Sequence, residues 1–145
     1  MNEKAIEKIQ IRLLDVEEKL FKCNLDENLA ESLNQDNLKI NIGYTLISDK
    51  EAKTVVIEVV AKYILANKEL LFFVASLTFE FPEFNEIFKL QEDRISEKIT
   101  VIPTLINIAI GTLRGMIAVK TSGTFLKRFP LPLIDPNSLL KQANN

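Results

Sequence analysis

Between Thr104 and Lys120 the apolar residues Leu105, Ile106, Ala109, Leu113, Met116 and Ile117 recur at steps of three and four, which places them on one face of an α-helix. Ile108, Ile110 and Val119 widen that surface until only Asn107, Gly111, Arg114 and Ala118 remain as a narrow polar or small seam. A helix apolar most of the way round is expected to be covered on more than one side. Its ends are marked too. Pro103 suits a first turn, where a missing amide hydrogen costs nothing, and Thr121, Ser122, Gly123 and Thr124 close the helix with a glycine able to take positive φ. The helix so bounded is about 17 residues, or about 25 Å, long. Phe125, Phe129, Leu131 and Leu133 then alternate with Pro130 and Pro132, which predicts extended backbone. Asp135 and Pro136 read as the N-cap and first residue of a short helix through Leu139 and Leu140.

Upstream, the period changes to two. Leu38, Ile40, Ile42, Tyr44 and Leu46 alternate with polar or small residues, predicting a strand with one buried face. Two long apolar runs follow, Thr54 to Ala66 and Glu69 to Phe81, and Asn67 with Lys68 between them suits a tight hairpin turn. That turn would put Val55, Ile57, Val59, Tyr63 and Leu65 beside Leu70, Phe72 and Val74. Val56, Val60 and Ile64 would then lie beside Leu71, Phe73, Leu77 and Phe79, with Glu58 and Lys62 among them as charges leaving a sheet edge or paired together. Both faces would be apolar, so the second would need a cover.

Residues 1–21 fit two periods. Ile6, Ile9, Leu13, Val16 and Leu20 have helical spacing, whereas Ile9, Ile11 and Leu13, followed by a shift of face at Leu14, suit a bulged strand. We read a short helical or loose start and then a strand. Asn24 to Asn37 is a polar surface loop, and it lacks the glycine and terminal glutamate of a calcium loop. Gln91 to Lys98 is a charged connection to the main helix.

What is missing narrows the chemistry. The chain of 145 residues has no histidine, so neither a Ser-His or Cys-His pair nor a histidine metal site can be built. One cysteine, Cys23, excludes thiolate clusters and an internal disulfide, and the glycines form no phosphate-binding loop. An enzyme is not expected, nor a metal or other cofactor. The 18 basic against 20 acidic residues form no concentrated basic face of the kind nucleic acid requires. The charged start MNEKAIEK has no apolar signal core, which with the lone cysteine suggests a cytoplasmic protein. A membrane span over Ile99 to Val119 is opposed by Pro103, Asn107 and Arg114, the arginine costing about 2.5 to 3.5 kcal/mol at a bilayer centre.

The Gly123-Thr124-Phe125 turn after a long helix, the downstream Leu131-Pro132-Leu133-Ile134-Asp135, and strands before them resemble the bacterial export chaperone SecB and its relatives, over about Lys8 to Leu140. The resemblance implies one SecB-like domain of class α+β. Its four-stranded antiparallel sheet, about Ile9 to Lys22, Leu38 to Ile47, Thr54 to Ala66 and Glu69 to Phe81, is followed by a long helix and a short C-terminal helix. It further implies a homotetramer, a dimer of dimers, and a holdase that binds unfolded polypeptides or preproteins without ATP, with the translocase motor SecA as a partner. Asp15, Glu17 and Glu18 do not align with the acidic SecA-binding surface of export SecB, and its acidic C-terminal tail has no counterpart here. Relatives that serve the antitoxin of a toxin-antitoxin system are the alternative, and an oligomeric adaptor for one folded partner is a third.

The aromatic run from Phe72 to Phe88 reads first as core; because such residues also supply contact area without demanding a particular sequence, Phe73, Leu77, Phe79, Phe81, Phe84, Phe88, Phe125, Phe129 and Leu131 are the candidates for polypeptide binding. Gly111 and Gly115, one turn apart, let another backbone approach closely, so Gly111, Arg114, Gly115 and Ala118 are candidates for a subunit contact.

Overall fold

A computed structural model describes residues 9–91, 94–98 and 100–144. Four strands, β1 (Arg12–Cys23), β2 (Lys39–Asp49), β3 (Thr54–Leu65) and β4 (Lys68–Glu80), form one antiparallel sheet in the order β1-β4-β3-β2. A single helical turn α1 (Phe84–Ile87) leads into a hairpin of β5 (Phe88–Gln91) and β6 (Arg94–Glu97). The long helix α2 (Ile102–Lys120) and the short α3 (Pro136–Asn144) follow. This is the α+β plan expected of the sequence.

Helix α2 lies on one face of the sheet. It buries Ile102, Leu105, Ile106, Ala109, Ile110, Leu113 and Ile117, side chains worth about 1.5 to 3 kcal/mol each for the larger ones before ordering costs are counted. The Glu97 carboxylate accepts from the backbone N–H of Val101 (2.6 Å) and Ile102 (2.8 Å), closing a helix start that has no cap of its own. At the other end Gly123, at φ +83°, turns the chain after α2 as its position suggests. Lys120 pairs with Glu18 at 3.0 Å and lies over the Phe21 ring, fastening α2 to β1. By length and composition α2 could cross a membrane, but its apolar face is packed on the sheet.

Several expectations need correction. The turn between β3 and β4 is made by Ala66 and Asn67, both at positive φ (48° and 63°), rather than by Asn67 and Lys68. A one-residue shift at Tyr63/Ile64 then sets Tyr63 opposite Leu71, Ala61 opposite Phe73 and Val55 opposite Phe79. A slip of one residue exchanges the faces of a whole strand. Leu71, Phe73, Leu77 and Phe79 therefore join Val55, Ile57, Val59 and Tyr63 under the helix, while Phe72 and Val74 move to the outer face. That face carries Val56, Val60, Ile64, Phe72 and Val74 mixed with Glu58, Lys62, Ser76 and Thr78, so it is less apolar than the helix side. Glu58 and Lys62 stand mid-sheet on β3 rather than at an edge, and Lys62 Nζ sits 4.8 Å from the Phe72 ring centre.

The helical spacing before Leu20 yields to a strand from Arg12, whose register shifts at Leu13/Asp15 match the bulge expected at Leu14, with another at Glu18/Leu20. The start over residues 1–8 lies outside the described residues. Gln91 to Lys98 is not a plain connection, because Gln91 ends β5 and Arg94–Glu97 forms β6, paired antiparallel to it. Phe125–Arg128 is a 3-10 turn opened by the Thr124 hydroxyl, and the extended segment begins only at Phe129.

Candidate functional site

β2 ends the sheet order, so its outward N–H and C=O groups have no strand partner among the described residues. Along it Leu38, Ile40, Ile42, Tyr44 and Leu46 are half-buried against the core. They face the helix side, where β2 overhangs the cover, leaving an apolar row beside a free backbone edge. Partial burial raises the Tyr44 phenol pKa above its usual value and keeps it neutral.

At the start of β2 this row opens into a groove of about 440 Å³. Leu38 and Ile40 form one wall, Phe129, Pro130 and Pro132 the other, and Gln35 and Arg128 the polar rim. Both walls are held by local chemistry. On the β1–β2 loop side, Asn34 and Asn37 cap each other's backbone N–H groups at 2.9 and 3.0 Å, and Leu33 is buried as an anchor. On the other side, the buried Tyr63 hydroxyl donates to the Phe129 carbonyl at 2.6 Å. Arg114 on α2 donates from Nε to the Leu131 carbonyl (2.8 Å) and from a terminal nitrogen to that of Pro132 (2.9 Å). Prolines lack amide donors, so this segment cannot join a ladder, and side chains reaching its carbonyls hold it instead. Burial pushes the Tyr63 phenol up to about 12, so it remains a donor at any ordinary pH.

Phe73, Leu77, Phe79, Phe81, Phe84 and Phe88 are all buried, the last in edge-to-face contact with Phe81 at 4.9 Å. The structure brings them together as core. Phe125 is half-buried, Leu131 is buried, and Phe129 alone of these candidates lines the groove. On α2, Gly111 and Arg114 are half-buried, and Gly115 and Ala118 exposed. Arg114 is occupied by the Leu131–Pro132 segment, which covers a second side of the helix. Beyond it an outward strip remains, with Ile108 40% and Val119 76% exposed.

Sequence reasoning missed Gln35, Leu38, Ile40, Arg128, Pro130 and Pro132 as groove residues. The signal was present in the proline alternation, but only the tertiary path sets that segment beside β2. No group of three or more His, Cys, Asp or Glu able to hold a metal occurs among the described residues. The Cys23 thiol pKa is raised by partial burial, the opposite of what a nucleophile needs.

No protein-family model and no curated protein sequence matches the chain. Solved structures do. The SecB-like chaperone of Mycobacterium tuberculosis, in complex with a ChAD peptide from the HigA1 antitoxin, superposes with a TM-score of 0.55 over 92% of this chain and 91% of that one, at 10% identity. The chain has the SecB-like fold. A protein of unknown function from Streptococcus agalactiae aligns over 87% of this chain and 98% of that one at 14% identity, with a TM-score of 0.42, too low to carry an argument.

Proposed function

We propose that the chain is a chaperone that holds extended, non-native polypeptide segments without ATP. The observation that carries this reading is the free β2 edge running beside a half-buried apolar row and into the groove walled by Phe129, Pro130 and Pro132. A segment added to that edge gains backbone hydrogen bonds that read no sequence, while alternate side chains meet the apolar row. Of the expected contact residues Phe129 lines the groove and meets the client, whereas Phe125 and Leu131 do not line it. The buried Phe73, Leu77, Phe79, Phe81, Phe84 and Phe88 then act by holding the scaffold.

The α2 strip of Ile108, Gly115, Ala118 and Val119, and the exposed β1 residues Leu13, Leu14 and Val16, supply subunit contacts of a homo-oligomer, a dimer of dimers on the SecB plan. Several grooves on one assembly would convert weak contacts into tight holding. We place this activity in the cytoplasm. Delivery of preproteins to SecA is one use. The antitoxin peptide bound by the Mycobacterium tuberculosis protein favours the second, a chaperone dedicated to the antitoxin of a toxin-antitoxin system. A non-chaperone adaptor differs from both by preferring a folded partner.

Calorimetry with a permanently unfolded polypeptide and with its folded form, alongside light scattering, tests the proposal. Binding of the unfolded chain alone, at about micromolar Kd, is expected. Binding of only the folded form would leave the adaptor, and an adjacent toxin and antitoxin gene pair would select the dedicated role over export.

A further inference from the structure

A second cleft, of about 250 Å³, lies at the opposite end of β2 from the groove. Three lysines from three separate segments line it: Lys50 just after β2, Lys89 on β5 and Lys98 just after β6. Phe84 and Phe88 are its aromatic lining, and both are buried. The Lys98 ammonium is held by the Asn85 carbonyl at 3.0 Å, and the Lys89 backbone is held by Ser96 Oγ donating to its carbonyl. Among the described residues no carboxylate lines the cleft, and none of the three lysines is in an ion pair. Asp49, the acid next to Lys50, is turned to its own backbone, accepting from the N–H groups of Glu51 and Ala52. In a chain of net charge −2 this concentration of positive charge is local, not a reflection of composition.

We infer that this lysine cleft is an acidic-residue subsite, and that the polypeptides held along β2 carry Asp or Glu about ten residues from the segment seated in the proline-walled groove. The spacing follows from the strand. Ile40 in the groove and Lys50 at the cleft are separated by ten residues, about 33 Å of extended chain. An added strand that starts in the groove reaches the lysines at the same count. The apolar groove then supplies contact area, the edge supplies pairing, and the cleft supplies register, since backbone pairing alone lets an extended segment slide. This inference rests on the polypeptide-holding reading and names its client class.

The test is fluorescence anisotropy of the full chain with labelled synthetic peptides of about 16 residues. Each has the same apolar, proline-containing half, and its distal end is either three glutamates or three glutamines. Both chain directions are made, because an edge can be extended parallel or antiparallel. The glutamate peptide is expected to bind about three- to tenfold tighter at low salt, with the difference vanishing at high salt. It should vanish also in the Lys50→Gln, Lys89→Gln double variant, whose exposed positions leave the melting curve unchanged while the glutamine peptide binds as before. Equal affinity for the two peptides overturns the inference and leaves polypeptide holding intact. Failure of both to bind overturns both.

Discussion

The Tyr63 hydroxyl on β3 donates to the Phe129 carbonyl across 66 residues of sequence at 2.6 Å, tying the middle of the sheet to one wall of the groove. Replacement by phenylalanine leaves that carbonyl without its donor. Tyr63→Phe should cost about 1 to 2 kcal/mol in urea unfolding and weaken binding of an unfolded chain by up to about tenfold. The pH dependence has a definite sign. The folded-state pKa, about 12, lies above the ordinary 10, so the unfolded chain ionises first. This contribution is complete below pH 10 and is lost as pH rises from 10 towards 12, at up to about 1.4 kcal/mol per pH unit. The fall in stability over that range should be shallower in the variant.

Arg114 acts on the same wall from the helix. Its planar fork reaches two successive carbonyls, which a lysine ammonium cannot copy. Arg114→Lys should cost about 1 to 2 kcal/mol and raise amide hydrogen exchange in α3 and residues 129–135 more than in the sheet. A uniform rise throughout the protein would mean that the contact only adds global stability.

Glu97 replaces a missing helix cap. Glu97→Gln keeps one acceptor oxygen but loses the charge, and Glu97→Ala loses both. Thermal melts should show a loss of about 0.5 to 1 kcal/mol for glutamine and about 1 to 2 for alanine.

Groove and opposite face can be separated by a matched pair. Ile40→Ser removes an apolar side chain from the groove wall, whereas Ile47→Ser removes one, 60% exposed, from the outer face of the same strand. Affinity for an unfolded polypeptide should fall about fivefold or more in the first and stay unchanged in the second.

Gly115 discriminates folding from assembly. A Cβ added there meets nothing within 4 Å, so Gly115→Ala should stabilise the chain by up to about 1 kcal/mol. Gly115→Leu should fold equally well and lower the mass seen by light scattering, if the outward strip of α2 joins subunits as proposed.

Periodicity carried the elements well where one period was unambiguous. The 3.6-residue spacing from Leu105 to Ile117 and the alternation from Leu38 to Leu46 each reappear as a helix and a strand. It failed where neighbours decide. Ile9 to Leu20 satisfied two periods, and pairing with β4 selected the strand. The β3–β4 hairpin was legible but its register was not, because both runs are apolar at almost every position and one residue of turn choice reverses a face. The aromatic cluster from Phe73 to Phe88 suited both core and contact surface, and the chain folds it inward as core. Aromatic content reports how much area needs burying, not where the burial occurs.

Composition and spacing alone determined a long apolar helix following strands, a proline-stiffened tail and no histidine chemistry. Tertiary structure decided which surface is open. Tyr63 and Arg114 must cross from sheet and helix to hold carbonyls that prolines leave without a ladder, and only that crossing sets Phe129 beside Leu38. Local propensity acts over a few residues, whereas a groove is made by segments about 90 residues apart whose approach is set by packing of the whole core.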